Sequence, residues 1–244
     1  EDRKVMEDML RGRTGSGEDK IQYAELRLKS ISGEYHWFGC HYKAIASDGG
    51  TVVKVVGKLA DISRQRSREQ ELREQAMRDV LTGIYNKAGE KLIDGMVKEK
   101  GQGLFLMLDL NDFKSINDTM GHAAGDAILT EMGRVLKGTC RENDIVARIG
   151  GDEFVMFLPG AFDWQTGKRK IGEIQESLRT VMISAWGIRG IRASIGAALC
   201  PEDGLDYETL FKAADEAMYL DKEQSKNRNE SREAGEEKQD RTIS

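Results

Sequence analysis

The stretch that decides the fold reads Arg148-Ile149-Gly150-Gly151-Asp152-Glu153-Phe154 and lies between apolar runs at 145–147 and 155–158. Two apolar runs joined across adjacent glycines predict a β-hairpin, because glycine adopts the positive φ angles of tight hairpin turns. Asp152 and Glu153 would then lie at an exposed tip held by a rigid ladder. A carboxylate pair there suits a divalent cation, although a solvated Asp-Glu after an ordinary turn gives the same pattern.

The composition is typical of a soluble globular protein with one or two folded domains. The chain has 244 residues, of which 39% are hydrophobic and 32% are charged. Its net charge of −5 gives no reason to expect nonspecific nucleic-acid binding, although a nucleotide substrate needs only a local cluster of basic residues and metal. There is no apolar run long enough to span a bilayer and no signal peptide, which predicts a cytoplasmic location. A membrane anchor upstream of the first residue stays open.

The cysteines and histidines do not form a metal or disulfide pattern. Cys40, Cys140 and Cys200 lie far apart without a CxxC pair, which argues against a disulfide framework and a structural zinc site. His36, Cys40 and His41 fall in an alternating apolar-aromatic run. We interpret them as strand residues, since zinc needs about four converging ligands.

Residues 1–62 predict a short charged helix followed by three antiparallel strands. The strand-like runs cover 23–31, 35–45 and 52–59, with glycine-containing turns between them. The turn at 32–37 and the end of the last strand resemble the C-terminal half of a PAS sensor domain. The half that usually completes a PAS ligand pocket is absent from this segment, and an unrelated β-meander is the alternative.

Residues 63–78 are rich in Arg, Glu and Gln and contain no Gly or Pro, which predicts an exposed helical signalling linker. Its apolar seam of Ile62, Leu72, Ala76 and Val80 is too thin for a self-sufficient coiled coil. Weak pairing with a second copy would suit a switch controlled by a sensor. A plain solvated linker is the alternative.

Residues 79–228 predict one α+β domain. A helix at about 88–100 precedes an unbroken apolar strand at 104–110, and a polar loop at 111–125 leads into a second helix. The hairpin, a third helix, a strand at 190–199 and a closing helix at 207–223 follow. The order β-α-β-β-α-β predicts a ferredoxin-like fold, an antiparallel sheet with flanking helices packed on one face. Residues 229–244 are charged, and we expect a disordered tail.

The apolar strand ends in Asp109. In a ferredoxin-like sheet the first strand lies beside the central hairpin, so Asp109 would lie near Asp152 and Glu153. Three close carboxylates repel one another strongly unless a cation neutralises them. Oxygen ligands without nearby His or Cys favour Mg²⁺ or Mn²⁺ over zinc, and such a site suits phosphoryl transfer. An Asp109 that only caps the following loop is the alternative.

Several motifs in 79–228 together resemble the diguanylate cyclase family. Gly150-Gly151-Asp152-Glu153-Phe154 is the family's GGDEF signature, and the segments 79–86, 108–110, 113–118, 121–126, 194–196 and 213–215 also fit its pattern. The resemblance implies an enzyme that condenses two GTP molecules into cyclic di-GMP and releases two pyrophosphates.

The resemblance also implies the roles of individual residues. Asp109, Asp152 and the Leu110 carbonyl would hold two Mg²⁺ or Mn²⁺ ions per active site, and Glu153 would assist metal binding or deprotonate the attacking 3′-hydroxyl. The implied substrate contacts are Asn117 and Asp126 on the guanine, Phe113 and Lys114 at the phosphate loop, and Lys222 and Lys226 on the phosphates. Since each domain holds one GTP, the family's active site is shared and the enzyme works as a homodimer.

The segment Arg141-Glu142-Asn143-Asp144 matches the family's RxxD inhibitory site, at which the product cyclic di-GMP binds through Arg141 and Asp144. An arginine fork can hold a guanine edge or a phosphate bidentately. A surface Arg-Asp pair at a helix end is the plain alternative.

Four positions depart from the family pattern, namely Lys87, Asp221, Ser225 and Lys226. Lys226 replaces the usual Arg and loses its bidentate fork, and Asp221 adds a negative charge beside Lys222. Every implied metal ligand is present, which favours an active, sensor-controlled cyclase. One alternative is a catalytically silent GGDEF receptor for cyclic di-GMP or GTP. Another is a cyclase that makes a mixed dinucleotide, which the guanine preference of Asp126 disfavours.

Overall fold

The computed structural model describes residues 4, 7, 21–47, 52–160, 162–220 and 222. The chain divides into two units, residues 1–76 and 77–244, and each is described by itself. The predicted tail, Lys226 and most of the predicted first helix lie outside the described residues. Within the described part of the chain, no helix is long and apolar enough to cross a membrane.

The first unit contains the predicted three-stranded meander. Strands β1 (Gln22–Lys29), β2 (Tyr35–Ala46) and β3 (Val52–Asp61) pair antiparallel in that order. His36, Cys40 and His41 all lie in β2, as predicted. The resemblance of this unit to half of a PAS domain stays a prediction.

Helix α1 (Ser63–Ala76) follows β3 and has no buried residue. Its first turn is tied to the sheet of the same unit through Arg66. The Arg66 guanidinium lies 4.0 Å from the centre of the Trp37 ring and 3.1 Å from a Glu25 carboxylate oxygen. The remaining turns expose their side chains, as the composition predicts.

The second unit is built on a four-stranded antiparallel sheet. Its elements are α2 (Gly89–Lys100), β4 (Gly103–Leu110), α3 (Phe113–Met120), α4 (His122–Thr139), β5 (Ile145–Arg148), β6 (Glu153–Pro159), α5 (Trp164–Arg179), the short strands β7 (Met182–Ile183) and β8 (Ile188–Arg189), β9 (Ala193–Cys200) and helix α6 at 207–220, with residue 222 also helical. The strand order β5-β6-β4-β9 is that of a ferredoxin-like sheet. The predicted fold class is confirmed.

Helices cover both faces of this sheet, and the prediction of one covered face was wrong. On one face, even-numbered side chains of β4 such as Leu106 pack in a core with α4 and α5. On the other face, Phe105 and Met107 pack with α2 and α6. A strand that is apolar at every position must be buried on both faces, so it needs a helical layer on each.

The polar segment 111–125 is helical for most of its length, whereas a loop was predicted. Helix α3 begins after Asp112, which has a φ of 59°, and Gly121 separates α3 from α4 with a φ of 84°. Phe113 and Ile116 anchor α3 on the core. The three apolar positions, Phe113, Ile116 and Met120, have helical spacing, but the stretch is short and otherwise polar, so a loop was predicted. The strand predicted at 190–199 begins only at Ala193, because Gly190 follows the small β7–β8 hairpin with a φ of 77°.

Tyr207, at the start of α6, carries a buried hydroxyl without a hydrogen-bond partner, the single such side-chain group in the part of the chain that the structure describes. Its ring packs edge-on against Phe105 with centroids 5.7 Å apart. Burial, followed by the charge of Glu90, raises the pKa of this hydroxyl far above its ordinary value. The group is therefore neutral and costs desolvation energy.

The substitution Tyr207→Phe keeps the ring contacts and removes the unpaired hydroxyl. We expect the free energy of unfolding to rise by about 1 kcal/mol, measured by urea denaturation. Tyr35→Phe, at an exposed ring, is the control and should change it by less than about 0.5 kcal/mol. A lower stability of Tyr207→Phe would contradict the absence of a partner.

Candidate functional site

The register between β4 and β6 brings the predicted acids together. Asp109 lies directly opposite Glu153 in the ladder, and the Leu110 amide donates to the Asp152 carbonyl at 3.3 Å. The Asp109 side chain is only 14% exposed. Asp152 and Glu153 are half-buried, so they do not lie at the exposed tip that the sequence predicted.

The turn that carries these acids also differs from the predicted one. Four residues connect β5 to β6, and neither Gly150 nor Gly151 has a positive φ. A Cβ at Gly150 would meet the Glu153 carboxylate, so a side chain at this position would displace that carboxylate. The feature that marks this glycine is the close approach of Glu153, since its backbone is not left-handed.

The electrostatics of the site are those of crowded acids that are partly offset by nearby positive charge. Burial, followed by the charge of Asp109, raises the pKa of Asp152. Burial also raises the pKa of Glu153, with further contributions from Asp109, Asp152 and Asp215. The Lys222 ammonium opposes both shifts and lies 2.9 Å from Asp109 Oδ1. The ionised forms of Asp152 and Glu153 therefore depend on positive charge nearby.

A cavity of about 500 Å³ opens between these acids and α6. Its lining consists of Asp109, Glu153, Asp215, Glu216, Met218, Tyr219, Leu220 and Lys222. The volume lies in the range of small-molecule sites, and polar groups converge on one end.

The donor set fits a hard divalent cation that is shared with a substrate. Among the described residues, no group of three or more His, Cys, Asp or Glu side chains is arranged to hold a metal ion by itself. Magnesium is usually bound through one or two carboxylates, while waters and substrate phosphates complete its shell. The carboxylates of Asp109 and Asp152 and the Leu110 carbonyl supply oxygen ligands of this kind.

The residues predicted to contact the guanine meet where α3 adjoins α4. Gly125 has no room for a Cβ, because the Asn117 side-chain oxygen and the Phe113 ring lie against it. Asp126 follows this glycine on α4 and is exposed, as is Lys114 at the start of α3. The structure thus brings Phe113, Asn117 and Asp126 to one junction.

Arg141 and Asp144 form a turn before β5. The Arg141 amide donates to Asp144 Oδ2 at 2.8 Å, and the Arg141 side chain is exposed. A cavity of about 290 Å³ adjoins the turn, and Arg78 and Tyr85 form part of its wall.

Sequence reasoning missed Arg148, which fixes the acidic turn. Its guanidinium donates to the Gly151 carbonyl at 2.7 and 3.1 Å and to both Asp79 carboxylate oxygens at 3.2 and 3.3 Å. The two side chains are 15% and 22% exposed. Burial works to raise the pKa of Asp79, but hydrogen bonds from Thr82 and the charge of Arg148 outweigh it and hold the pKa below its ordinary value. No local motif predicts a pair 69 residues apart in sequence.

Arg148→Lys keeps the charge and loses the fork that joins Asp79 to the turn. We expect the free energy of unfolding to fall by about 1.5–3 kcal/mol, measured by urea denaturation at pH 7. Arg134→Lys, which alters an exposed ion pair on α4, is the control and should cost less than about 0.5 kcal/mol. Equal losses in the two variants would contradict a special role for Arg148.

The depressed pKa of Asp79 determines how the contribution of this ion pair to stability depends on pH. Its stabilising contribution is fully present above the unfolded pKa of about 4 and is lost as pH falls through the lower folded pKa. Asp79→Asn should therefore destabilise the protein most at neutral pH and least near the acid end of its folded range. A constant difference across that range would contradict the ion pair.

The chain belongs to the GGDEF family. Residues 76–228 match the family model described as "Diguanylate cyclase, GGDEF domain". The chain is 30% identical over 178 residues to the probable diguanylate cyclase DgcC of Escherichia coli K12, which covers 71% of this chain and 46% of DgcC. It is 32% identical over 170 residues to the diguanylate cyclase TpbB of Pseudomonas aeruginosa UCBPP-PA14, covering 67% and 39%. The matches span less than half the length of these curated relatives.

Solved GGDEF domains have the same fold. A sensory box/GGDEF family protein from Caulobacter crescentus aligns with a TM-score of 0.55 at 32% identity, covering 61% of this chain and 99% of that chain. The GGDEF domain of Pseudomonas aeruginosa TpbB gives 0.56 at 34% identity, covering 60% and 89%. The coiled coil and GGDEF domain of Caulobacter crescentus DgcB, solved in complex with c-di-GMP, gives 0.59 at 26% identity, covering 66% and 88%.

Proposed function

We propose that this chain is a diguanylate cyclase, which condenses two GTP molecules into cyclic di-GMP and two pyrophosphates in the cytoplasm. The observation that carries the proposal is the opposition of Asp109 and Glu153 in the β4–β6 ladder, with Asp152 beside them and Lys222 against Asp109. Membership of the GGDEF family and the names of the relatives support the same activity.

Asp109, Asp152 and the Leu110 carbonyl would hold two Mg²⁺ or Mn²⁺ ions together with the phosphates of GTP. When bound, these ions neutralise negative charge on the transferring phosphoryl group and on the departing pyrophosphate. Through these ions Asp109 and Asp152 would orient the α-phosphate, and the half-buried setting would strengthen the attraction between the carboxylates and the ions.

Glu153 is suited to accept the proton of the attacking 3′-hydroxyl. Its raised pKa lies closer to neutral pH than that of an ordinary glutamate, which favours proton acceptance by a general base. The hydroxyl oxygen then bonds to the α-phosphorus as the bond to the bridging oxygen of pyrophosphate breaks. The same step on the second GTP closes the ring.

The α3–α4 junction would select the base. The Asp126 carboxylate can accept hydrogen bonds from N1–H and N2–H₂ of guanine, a donor pair that adenine lacks. The Asn117 amide would contact the same base. Phe113 and Lys114 would hold the phosphate loop, and Lys222 and Lys226 would pair with the phosphates. One domain binds one GTP, so the reaction requires two copies facing each other as a homodimer.

The substitution Asp152→Asn removes the negative charge of a proposed metal ligand and keeps the size of the side chain. Formation of cyclic di-GMP from GTP and MgCl₂, measured by chromatography of the nucleotides, should fall by roughly 10³-fold because several kcal/mol of charge stabilisation is lost. Wild-type protein that dimerises but makes no cyclic di-GMP would overturn the proposal and favour a silent receptor.

The same variant should be more stable than wild type at pH 8 in a metal chelator. A folded pKa above the unfolded one means that ionised Asp152 opposes folding, and this penalty grows as pH rises through the two values. The thermal midpoint should therefore rise at pH 8 and change less at pH 4. A lower midpoint at pH 8 would contradict the crowding of the acids.

We further propose that cyclic di-GMP inhibits the enzyme at Arg141 and Asp144. The exposed Arg141 fork lies beside the cavity of about 290 Å³, and Asp144 holds its backbone in place.

Arg141→Ala removes that fork and leaves the Asp144 turn intact, since the turn uses the backbone amide. The half-inhibitory concentration of cyclic di-GMP should rise by about tenfold or more, measured in initial-rate assays with added product. Arg169→Ala, at an exposed pair on α5, serves as the control. Unchanged inhibition in Arg141→Ala would discount this site.

A further inference from the structure

Lys222 and Asp109 form an ion pair at the centre of the acidic site. The Lys222 ammonium lies 2.9 Å from Asp109 Oδ1, and the two side chains are 35% and 14% exposed. Attraction between charges in such a partly shielded setting exceeds that of a fully solvated pair. The Asp109 carboxylate is therefore strongly engaged by its own chain.

The same ammonium also interacts electrostatically with the two neighbouring acids. Its charge acts on both Asp152 and Glu153 and opposes the repulsion among the carboxylates. Among the described residues, no set of three or more acidic, His or Cys side chains is arranged to hold a metal without further ligands. A lysine in this position therefore provides positive charge to acids that do not form a complete metal site by themselves.

An ammonium and a divalent cation compete for one carboxylate. Both are attracted to the negative charge of the carboxylate, and two cations held on one carboxylate repel each other. The cavity of about 500 Å³ beside Lys222 gives its flexible side chain room to leave Asp109. A phosphate in this cavity would offer the ammonium an alternative partner.

We propose that Lys222 is the counter-ion of Asp109 before nucleotide binds and exchanges that carboxylate for a phosphate when GTP and metal enter together. This inference rests on the proposed function of the site. It follows that the free protein binds divalent cations poorly, and that nucleotide must release Asp109 before a metal binds tightly.

The test is binding of Mn²⁺ to the full chain without nucleotide, measured by the electron paramagnetic resonance signal of free Mn²⁺. Lys222→Met removes the charge at similar length and should bind Mn²⁺ roughly tenfold more tightly than wild type, as expected for release of one charged hydrogen bond. Lys212→Met is the matched control, because Lys212 is an exposed lysine on the same helix. Its affinity should equal that of wild type.

Two further measurements locate the bound manganese and test whether nucleotide releases Lys222 from Asp109. Adding Asp109→Asn to Lys222→Met should abolish the gain, which would place the manganese at Asp109. Adding α,β-methylene GTP, whose α–β bridge the reaction cannot break, should raise the Mn²⁺ affinity by a larger factor in wild type than in Lys222→Met, because only wild type must release the ion pair. Circular dichroism checks that each variant is folded.

Equal Mn²⁺ affinity of wild type and Lys222→Met would overturn the inference, as would a gain that survives Asp109→Asn. None of these measurements involves turnover. A protein that shows the gain but makes no cyclic di-GMP would retain the lysine exchange and lose the cyclase proposal. If the protein makes cyclic di-GMP but Lys222→Met binds Mn²⁺ no more tightly than wild type, the cyclase proposal stands and the lysine exchange is wrong.

Discussion

The opposition of Asp109 and Glu153 across the β4–β6 ladder is the constraint on which the site depends. Two hydrogen-bonded strands cannot separate to relieve repulsion between their side chains, and Asp152 adds a third negative charge beside them. Burial, followed by the charge of Asp109, raises the pKa values of Asp152 and Glu153. A rigid sheet therefore holds charge that is unfavourable until a cation offsets it. This is the arrangement that a metal-dependent phosphoryl transfer requires.

The surrounding residues hold this charge in a fixed place. Arg148 donates hydrogen bonds to the Gly151 carbonyl and to the Asp79 carboxylate, so the turn that carries Asp152 is anchored to the first segment of the second unit. Gly150 leaves space for the Glu153 carboxylate to fold back against the turn. Lys222 faces the acids from the end of α6 and supplies the nearest positive charge. Positioning and charge thus come from separate elements of the fold.

The sequence was sufficient for the parts of the fold that depend on strong local patterns. The apolar run at 104–108 and the paired glycines predicted the central strand, the hairpin and the approach of Asp109 to Asp152 and Glu153. Helix α3 was missed because its apolar residues are few and its neighbours are polar. The Arg148–Asp79 pair was missed because contacts between distant segments have no local signature. Lys222 was predicted on substrate phosphates, and its contact with Asp109 depends on how α6 packs over the sheet.

The central claim is that Asp109 and Asp152 share a divalent cation with the phosphates of GTP while Lys222 turns to the triphosphate. The most direct measurement is a crystal structure with Mn²⁺ and a non-hydrolysable GTP analogue, in which anomalous scattering locates the manganese. We expect an anomalous peak in contact with Asp109, Asp152 and a phosphate oxygen, with the Lys222 ammonium on a phosphate. A manganese peak elsewhere, or a Lys222 still paired with Asp109 beside bound nucleotide, would contradict it.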